Sequence, residues 1–421
     1  MSTPPGPERR AADSLRRPGR ILGVLALTNI VGYAARNGLF TVYPDLRDRF
    51  GLHDARLGLL TTAFIVPHAL ATLPFGWAGD RYDRRRVIAF GLILASIAGA
   101  LGALATEAWM LTLSRAVVGF GTAAIVPAAN SILGQLYDGP KKASRMSIFN
   151  LGLLFGGMLG FGVGLWAHFP GVVVILSIPC AVLALVILML PVPPVPSPRE
   201  SLRMTRYLFE LGKPFLVEGR ELLKIRTLRW MVLSTTAMAF AAGGYNAWLI
   251  DFLERDKHMS KGDATTLLTV AMTGAVAGIV IGGRISDRLH RARTEGRLWT
   301  IVIGMAATIP CAIACVMLPP GPLLYAGGIT TMFFISWYHA PMAVSVDDLA
   351  PPGRAVAAQG LVIFTMHLFG TASASYLIGV VSDHSSLYAA MWVPTGMLAV
   401  ALIGMLIATP SFARDHARAR G

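Results

Sequence analysis

The hydrophobic positions of this chain are grouped into long blocks, and the polar positions fall between them. Blocks of about 20 mostly apolar residues, the length that crosses a bilayer, occur twelve times in the sequence. We number these predicted spans 1 to 12; they are 21–44, 54–78, 86–106, 109–136, 143–168, 171–191, 228–253, 264–285, 297–318, 321–346, 355–382 and 386–409. The pattern predicts an all-α membrane protein with twelve transmembrane helices.

The longest polar stretch separates span 6 from span 7. It mixes Arg, Lys and Glu with Leu, Phe and Ile, which is typical of a helix lying at the membrane interface. A plain basic linker held on lipid is the alternative. The predicted domains are a cytoplasmic N-terminal tail at 1–20, an N-terminal six-helix bundle at 21–191, the cytoplasmic linker at 192–227, a C-terminal six-helix bundle at 228–409 and a cytoplasmic C-terminal tail at 410–421.

Composition and charge agree with a membrane location. Only 14% of the residues are charged, against roughly 25% in soluble domains. The net charge of +14 would suggest nucleic acid in a soluble protein. Here the basic residues lie in short loops and tails, which predicts membrane lipids as partners and no nucleic acid. The basic loops follow the even-numbered spans, so we expect both termini in the cytoplasm of an inner (plasma) membrane protein.

Two polar loops repeat one pattern. Gly76 to Arg86 reads GWAGDRYDRRR, and Gly283 to Arg293 reads GRISDRLHRAR. Each loop has a Gly, an Asp four residues later and an Arg directly after it. The echo predicts two pseudo-symmetric repeats, and transporters built in this way bind substrate near the midplane at the interface of the repeats.

The first loop resembles the signature loop of the major facilitator superfamily, G-x-x-x-D-R-x-G-R-R between helices 2 and 3. Five positions match, and Asp83 stands where the family has Gly; the matches are Gly76, Asp80, Arg81, Arg84 and Arg85. Arg115 in LSRAVVGFG resembles the helix 4 arginine motif of the same superfamily. The resemblance implies a transporter that works by alternating access, and not an enzyme.

Within that superfamily the chain is similar to the spinster-type, lipid-transporting branch. The branch patterns in helices 1, 4, 7 and 11 are matched in part by Tyr33, Arg36, Pro44 and Asp45; by Arg115, Val118, Gly119, Gly121 and Ala123; by Phe240, Gly243, Trp248, Phe252 and Leu253; and by His367, Gly370 and Gly379. Three acids of the branch are replaced, by Ala35, Thr122 and Thr371. The departures leave facilitated diffusion, substrate exchange and proton coupling through histidine as open alternatives.

Arg36 lies near the middle of span 1, where a charged side chain is costly and usually faces a cavity or a partner. A guanidinium without a nearby acid can bind an anionic head group. Bonding to helix-end carbonyls or to a distant Asp is the alternative. The predicted substrate-binding set is Arg36, Asn37, Tyr33, Asn29, Thr122, Asn130, Asn150, Tyr245, Asn246 and Trp248; a buried Asn can equally be a link between helices.

Three histidines within spans can titrate near neutral pH, so the possible proton-coupling residues are His68, His339 and His367. A purely structural role is the alternative for each. The two loops, together with Arg115 and Arg145, predict a set of residues that gate the change between conformations. The alternative is that the basic residues serve only to set the orientation of the helices in the membrane. That set is Gly76, Asp80, Arg81, Arg84, Arg85, Arg115, Arg145, Gly283, Asp287, Arg288 and Arg291.

The function that these features predict is a secondary carrier for an amphipathic, anionic, lipid-like molecule such as a lysolipid. The alternative is a carrier or efflux pump for a small organic anion, sugar or drug. A scaffold or an intramembrane enzyme is disfavoured, because the sequence has no nucleotide loop, metal motif or nucleophile–base pair. We expect no cofactor, no metal, a small-molecule or lipid substrate and a monomer.

Overall fold

The computed structural model describes residues 18–137, 145–146, 148–193, 217–351 and 354–420. The described residues form helices and turns and contain no strand, so the prediction of an all-α membrane fold is confirmed. Nine of the described helices are long and apolar enough to cross a membrane; spans 1, 7 and 10 are also helical but more polar or interrupted. The N-terminal tail up to residue 17 and most of the predicted linker lie outside the described residues.

The chain divides into two compact units. The first comprises Met1–Leu52 and Ala63–Phe209, and the second comprises His53–Thr62 and Glu210–Gly421. The helix of span 2, Asp54–Arg81, therefore begins with the second unit and continues in the first.

The first unit contains the helices of spans 1 to 6. Leu25, Leu92, Ile132 and Leu183, contributed by spans 1, 3, 4 and 6, are buried in one apolar core. Its helices are Pro18–Asn37, Tyr43–Phe50, the later part of Asp54–Arg81, Arg84–Ala103, Ala108–Thr122, Ile125–Leu136, Gly152–Trp166 and Gly171–Leu188.

The second unit contains spans 7 to 12 and the C-terminal tail. Its helices are Arg226–Arg255, Lys261–Ala292, Gly296–Met317, Pro322–Ile335, His339–Leu349, Ala355–Thr365, Ala372–His384, Leu387–Ala390, Trp392–Ala408 and Phe412–Arg420. The tail is not a loose extension. The buried carboxylate of Asp415 accepts hydrogen bonds from the backbone amide of Thr227 at 3.1 Å and from its hydroxyl at 2.8 Å, which docks the last helix on the start of span 7.

Four spans are interrupted, which the hydrophobic pattern does not reveal. Span 1 passes through a 3₁₀ turn at Gly38–Val42, span 10 through another at Ser336–Tyr338, and span 11 through a π-helix at Met366–Thr371. Span 4 breaks between Thr122 and Ile125. A break in a membrane helix changes the bonding of its backbone carbonyls, and any carbonyl left without a donor needs another one inside the membrane. Side chains near such breaks can supply these donors.

Spans 3 and 4 cross at unusually short range. A Cβ built on Gly91 would lie 2.3 Å from the carbonyl oxygen of Gly121, and one built on Gly121 would lie 2.4 Å from the carbonyl oxygen of Gly91. The two backbones are therefore in direct contact, and only glycine allows this on both sides.

We expect Gly91→Ala to destabilise the protein by about 1–3 kcal/mol, because an added methyl group forces the two backbones apart. Thermal unfolding of the protein purified in detergent measures this as a lower Tm. Gly162→Ala is the matched control, since its added Cβ meets nothing within 4 Å. Equal Tm values for the two variants would contradict the close crossing.

Candidate functional site

The first unit contains a polar pocket between spans 1, 2 and 4. Its cavity volume is about 20 Å³, and it is lined by Asn29, Gly32, Tyr33, Arg36, Phe64, His68, Thr122, Ile125 and Val126. The four residues from span 1 lie at positions i, i+3, i+4 and i+7, so they form one stripe of the helix. Four predicted substrate-binding residues thus meet one predicted proton-coupling residue.

Arg36 carries the charge of this pocket. Its Nε is buried and has no hydrogen-bond partner, and none of the residues that line the pocket is acidic. Among the described residues no carboxylate pairs with Arg36. A charge at membrane depth without a counter-ion is costly, so an anion in this pocket would be stabilised by Arg36.

Bonding to helix-end carbonyls was the alternative role considered for Arg36, and in the structure Arg115 makes such bonds. Its Nη1 donates to the carbonyl oxygen of Ala35 at 2.9 Å, and its Nη2 donates to that of Arg36 at 3.1 Å. These carbonyls belong to the last turn of Pro18–Asn37, where the helix leaves them without intrahelical donors. The guanidinium of Arg115 also lies 4.7 Å from the centre of the Phe64 ring.

His68 is held by one edge of its ring. Its Nδ1 lies 3.1 Å from the carbonyl oxygen of Gly119 and 3.2 Å from Oγ1 of Thr122. The ring stacks on Phe64 with their centres 5.7 Å apart. The other ring nitrogen of His68, Nε2, has no hydrogen-bond partner among the described residues.

The other asparagines of the predicted set have different environments. Asn29 is buried and donates to the carbonyl oxygen of Phe149 at 2.9 Å, which joins span 1 to the start of span 5. Asn37 is buried, Asn130 is half-buried with an unpartnered Oδ1, and Asn150 is exposed. None of these last three lines the Arg36 pocket.

In the second unit two predicted substrate residues have internal partners. The hydroxyl of Tyr245 lies 2.6 Å from that of Thr395, and the indole Nε1 of Trp248 donates to the carbonyl oxygen of Ser375 at 3.0 Å. Both side chains are buried. Asn246 is half-buried.

The two other histidines also lie in the second unit. His339 is exposed and its ring centre is 4.2 Å from that of Tyr338. His367 is half-buried within the π-helix of span 11. Neither shares the pocket of Arg36.

An ion pair and several hydrogen bonds hold the signature loop, Gly76 to Arg86, in place inside the first unit. Asp83 accepts a hydrogen bond from the Arg85 amide at 3.1 Å and pairs with the Arg85 guanidinium at 2.6 Å. Arg85 also donates to the carbonyl oxygen of Leu190 at 3.1 Å, at the end of span 6. The backbone of Asp83 has a negative φ of −55°, so this turn does not need the glycine of the family pattern.

Other charges of this loop have local partners. Arg84 is buried and its Nε donates to the carbonyl oxygen of Gly79 at 3.2 Å. Arg81 lies 5.0 Å from the ring centre of Trp77, and Arg145 lies 5.8 Å from that of Tyr137. Gly76 has open space around it, and the side chain of Asp80 lies outside what the structure describes.

The charged residues of the second copy, Gly283 to Arg293, form no comparable ion pair among the described residues. Asp287, Arg288 and Arg291 are exposed, and Arg291 donates only to the backbone carbonyl of Asp287 at 3.3 Å. A Cβ on Gly283 would meet nothing within 4 Å. The gating role of both copies stays a prediction.

Sequence reasoning missed a charged cluster in the second unit. One guanidinium nitrogen of Arg255 bonds Asp54 at 2.9 Å and Asp251 at 3.2 Å. Ser382 donates to Asp54 at 2.6 Å. Asp383 accepts the Asp54 amide at 2.8 Å and the next amide at 2.9 Å, so it caps the start of span 2. The pair of Asp251 and Arg255 has a local i,i+4 spacing, but Asp54, Ser382 and Asp383 are too far away in sequence for a local pattern to have joined them to it.

The described geometry is that of a polytopic helical membrane transporter with an internal, acid-free polar pocket. The family model of the Major Facilitator Superfamily matches residues 25–294 and 231–421. The chain belongs to that superfamily, and it is a transporter and not an enzyme.

Curated relatives and solved structures resemble nearly the whole chain. Protein spinster homolog 3 of Danio rerio is 26% identical over 91% of this chain and 80% of its own length. The sphingosine-1-phosphate transporter SPNS2 of Danio rerio is 27% identical over 87% of this chain and 77% of its own length. The crystal structure of a bacterial homolog of the human lysosomal transporter spinster, inward-facing and occupied, has a TM-score of 0.80 at 19% identity, covering 94% of this chain and 98% of its own. This likeness confirms the fold.

We expect Asp383→Ala to lower the stability of the purified protein by about 1–2 kcal/mol, because the first two amides of span 2 lose their acceptor. The readout is the Tm in detergent. Asp48→Ala is the control, since it removes the same charge from an exposed position. A loss in the control as large as in Asp383→Ala would mean that the capping bonds contribute nothing.

Proposed function

We propose that this protein is a secondary carrier that moves an amphipathic, anionic lysolipid across the inner (plasma) membrane by alternating access, with both termini in the cytoplasm. The observation that carries the proposal is Arg36, a half-buried residue whose buried Nε has no partner, in a pocket lined by no acidic residue. The spinster and sphingosine-1-phosphate transporter relatives support a lipid substrate with an anionic head group.

The head group binds at Arg36 in this proposal. A guanidinium bonds phosphate or carboxylate oxygens with charge-assisted hydrogen bonds, and two of these can form in parallel. Tyr33 lines the same pocket and its hydroxyl can complete the polar shell, whereas the hydroxyl of Thr122 is already bonded to carbonyls of its own span and to His68. Asn29 acts differently, because its bond to the Phe149 carbonyl holds span 1 in place.

The remaining predicted residues have secondary roles in the proposal. Asn37, Asn130 and Asn150 lie on the spans that carry or flank the pocket. Tyr245 and Trp248 have buried internal partners, so we assign them to the support of span 7, and we retain the half-buried Asn246 as a proposed substrate residue.

Alternating access requires contacts that form in one state and break in another. We assign this role to the charged loops at both repeats, as the sequence predicts. Three contacts support the idea that the first loop moves as one piece with the ends of spans 2, 3 and 6. They are the ion pair of Arg85 with Asp83, the bond of Arg85 to the Leu190 carbonyl and the bond of Arg84 to the Gly79 carbonyl.

Arg36→Gln tests the proposal. Loss of charged hydrogen bonds costs about 1.5–3 kcal/mol, so we expect an apparent affinity for labelled lysophosphatidic acid that is about 10- to 150-fold weaker. Uptake into proteoliposomes, measured over a range of substrate concentrations, gives this number. Arg418→Gln is the matched control, because Arg418 is exposed on the C-terminal helix.

Normal uptake by Arg36→Gln would overturn the proposed head-group site. Competition by lysolipids of decreasing chain length separates a lipid carrier from a carrier of small organic anions, sugars or drugs. Affinity that does not change with chain length would favour the small-solute alternative.

A further inference from the structure

The protonation pattern of His68 can be deduced from its partners. The carbonyl oxygen of Gly119 only accepts hydrogen bonds, so the Nδ1 that lies 3.1 Å from it must carry a hydrogen. The hydroxyl of Thr122 donates its single hydrogen to the carbonyl oxygens of Val118 and Gly119, at 3.0 and 3.1 Å, and it therefore accepts from His68. A proton can be gained only at Nε2, the nitrogen for which the described residues supply no partner.

The groups that face His68 carry positive charge or none. Span 1 supplies Arg36 and the neutral hydroxyl of Tyr33, and span 4 supplies the hydroxyl of Thr122 and the Gly119 carbonyl. The second guanidinium, that of Arg115, reaches the ring of Phe64, on which His68 stacks. No acidic side chain lines the pocket.

Electrostatics then make the charge of His68 depend on the contents of the pocket. In the empty pocket a second cation beside Arg36 is repelled, and the low dielectric strengthens this repulsion. An anion reverses the balance, because it attracts both groups and offers an acceptor to Nε2–H.

We propose that binding of an anionic head group is accompanied by uptake of one proton on Nε2 of His68, so that proton and substrate enter the site together. The proton comes from the solvent, and no bond of the lipid forms or breaks. The inference rests on the proposed function, since it takes the Arg36 pocket as the head-group site. In this proposal His68 carries the proton, in place of the acidic residues that the spinster-type branch has where this chain has Ala35, Thr122 and Thr371.

Calorimetry of the full-length protein in detergent tests the inference. Lysophosphatidic acid is titrated in two buffers of different ionisation enthalpy at one pH, and the difference in heat gives the number of protons taken up. We expect about one proton per lipid in the wild type. By linkage, the affinity then tightens by up to about tenfold for each unit that the pH falls while His68 gains its proton.

His68→Gln keeps a polar side chain of similar size but cannot gain a proton. We expect it to bind lysophosphatidic acid without the His68 proton and with a flat pH profile. His290→Gln is the control, because His290 lies outside the pocket and contacts only the Thr294 carbonyl. The lipid phosphate can itself take up a proton, so uptake that persists in His68→Gln would overturn the inference.

The outcomes separate this inference from the proposed function. Binding by the wild type without proton uptake would overturn the role of His68 and leave the lysolipid carrier standing. Failure of the wild type to bind any lysolipid would overturn both. A wild type that takes up no proton overturns the inference whatever the fate of His68→Gln. If that variant does not fold, His68→Asn, which also cannot gain a proton, separates uptake by His68 from uptake by the lipid phosphate.

Discussion

The bond between the Arg115 guanidinium and the carbonyl oxygens of Ala35 and Arg36 sets the geometry of the first unit. Span 1 ends its helix inside the bundle, where water is not available to the last carbonyls. Arg115 supplies two of the missing donors. Because its partners are the backbone of residues 35 and 36, the same bond fixes where the Arg36 side chain leaves the helix.

The charge balance of the pocket follows from this arrangement. The guanidinium of Arg115 donates hydrogen bonds to helix-end carbonyls, which carry the partial negative charge of the helix dipole. Among the described residues Arg36 makes no such bonds to helix-end carbonyls, while the Nε atoms of both arginines are buried without a partner. The two arginines therefore have different surroundings, although both lie within predicted spans and look alike in the sequence.

Periodicity and composition predict the spans because burial in lipid imposes a long apolar block whatever the tertiary structure. They do not predict the interruptions. The π-helix at Met366–Thr371 and the 3₁₀ turn at Gly38–Val42 occur in apolar sequence without a proline, so tertiary packing and not local preference decides them. The stripe of Asn29, Tyr33 and Arg36 was predictable, because helical spacing alone puts these residues on one face.

Partners distant in the chain explain what the sequence could not reveal. Tyr245 and Trp248 look like cavity residues by type, but Thr395 and the Ser375 carbonyl take their polar atoms. Asp54 and Asp383 look like loop charges at the ends of spans, yet they are joined across 329 positions through a helix cap. Residue type gives the chemistry that is possible, and the fold decides which groups are already used.

The replaced acids of the branch change what kind of coupling the pocket can support. A membrane carboxylate carries its proton when the pocket is empty, because desolvation favours the neutral acid. A histidine beside an unpaired arginine is in the opposite situation, since its charged form becomes favourable only when an anion is present. Thr122, which stands at one of the replaced acid positions, orients His68 through Nδ1. The position that lost a carboxylate thus helps to fix the orientation of the imidazole, and it leaves Nε2 as the nitrogen without a partner among the described residues.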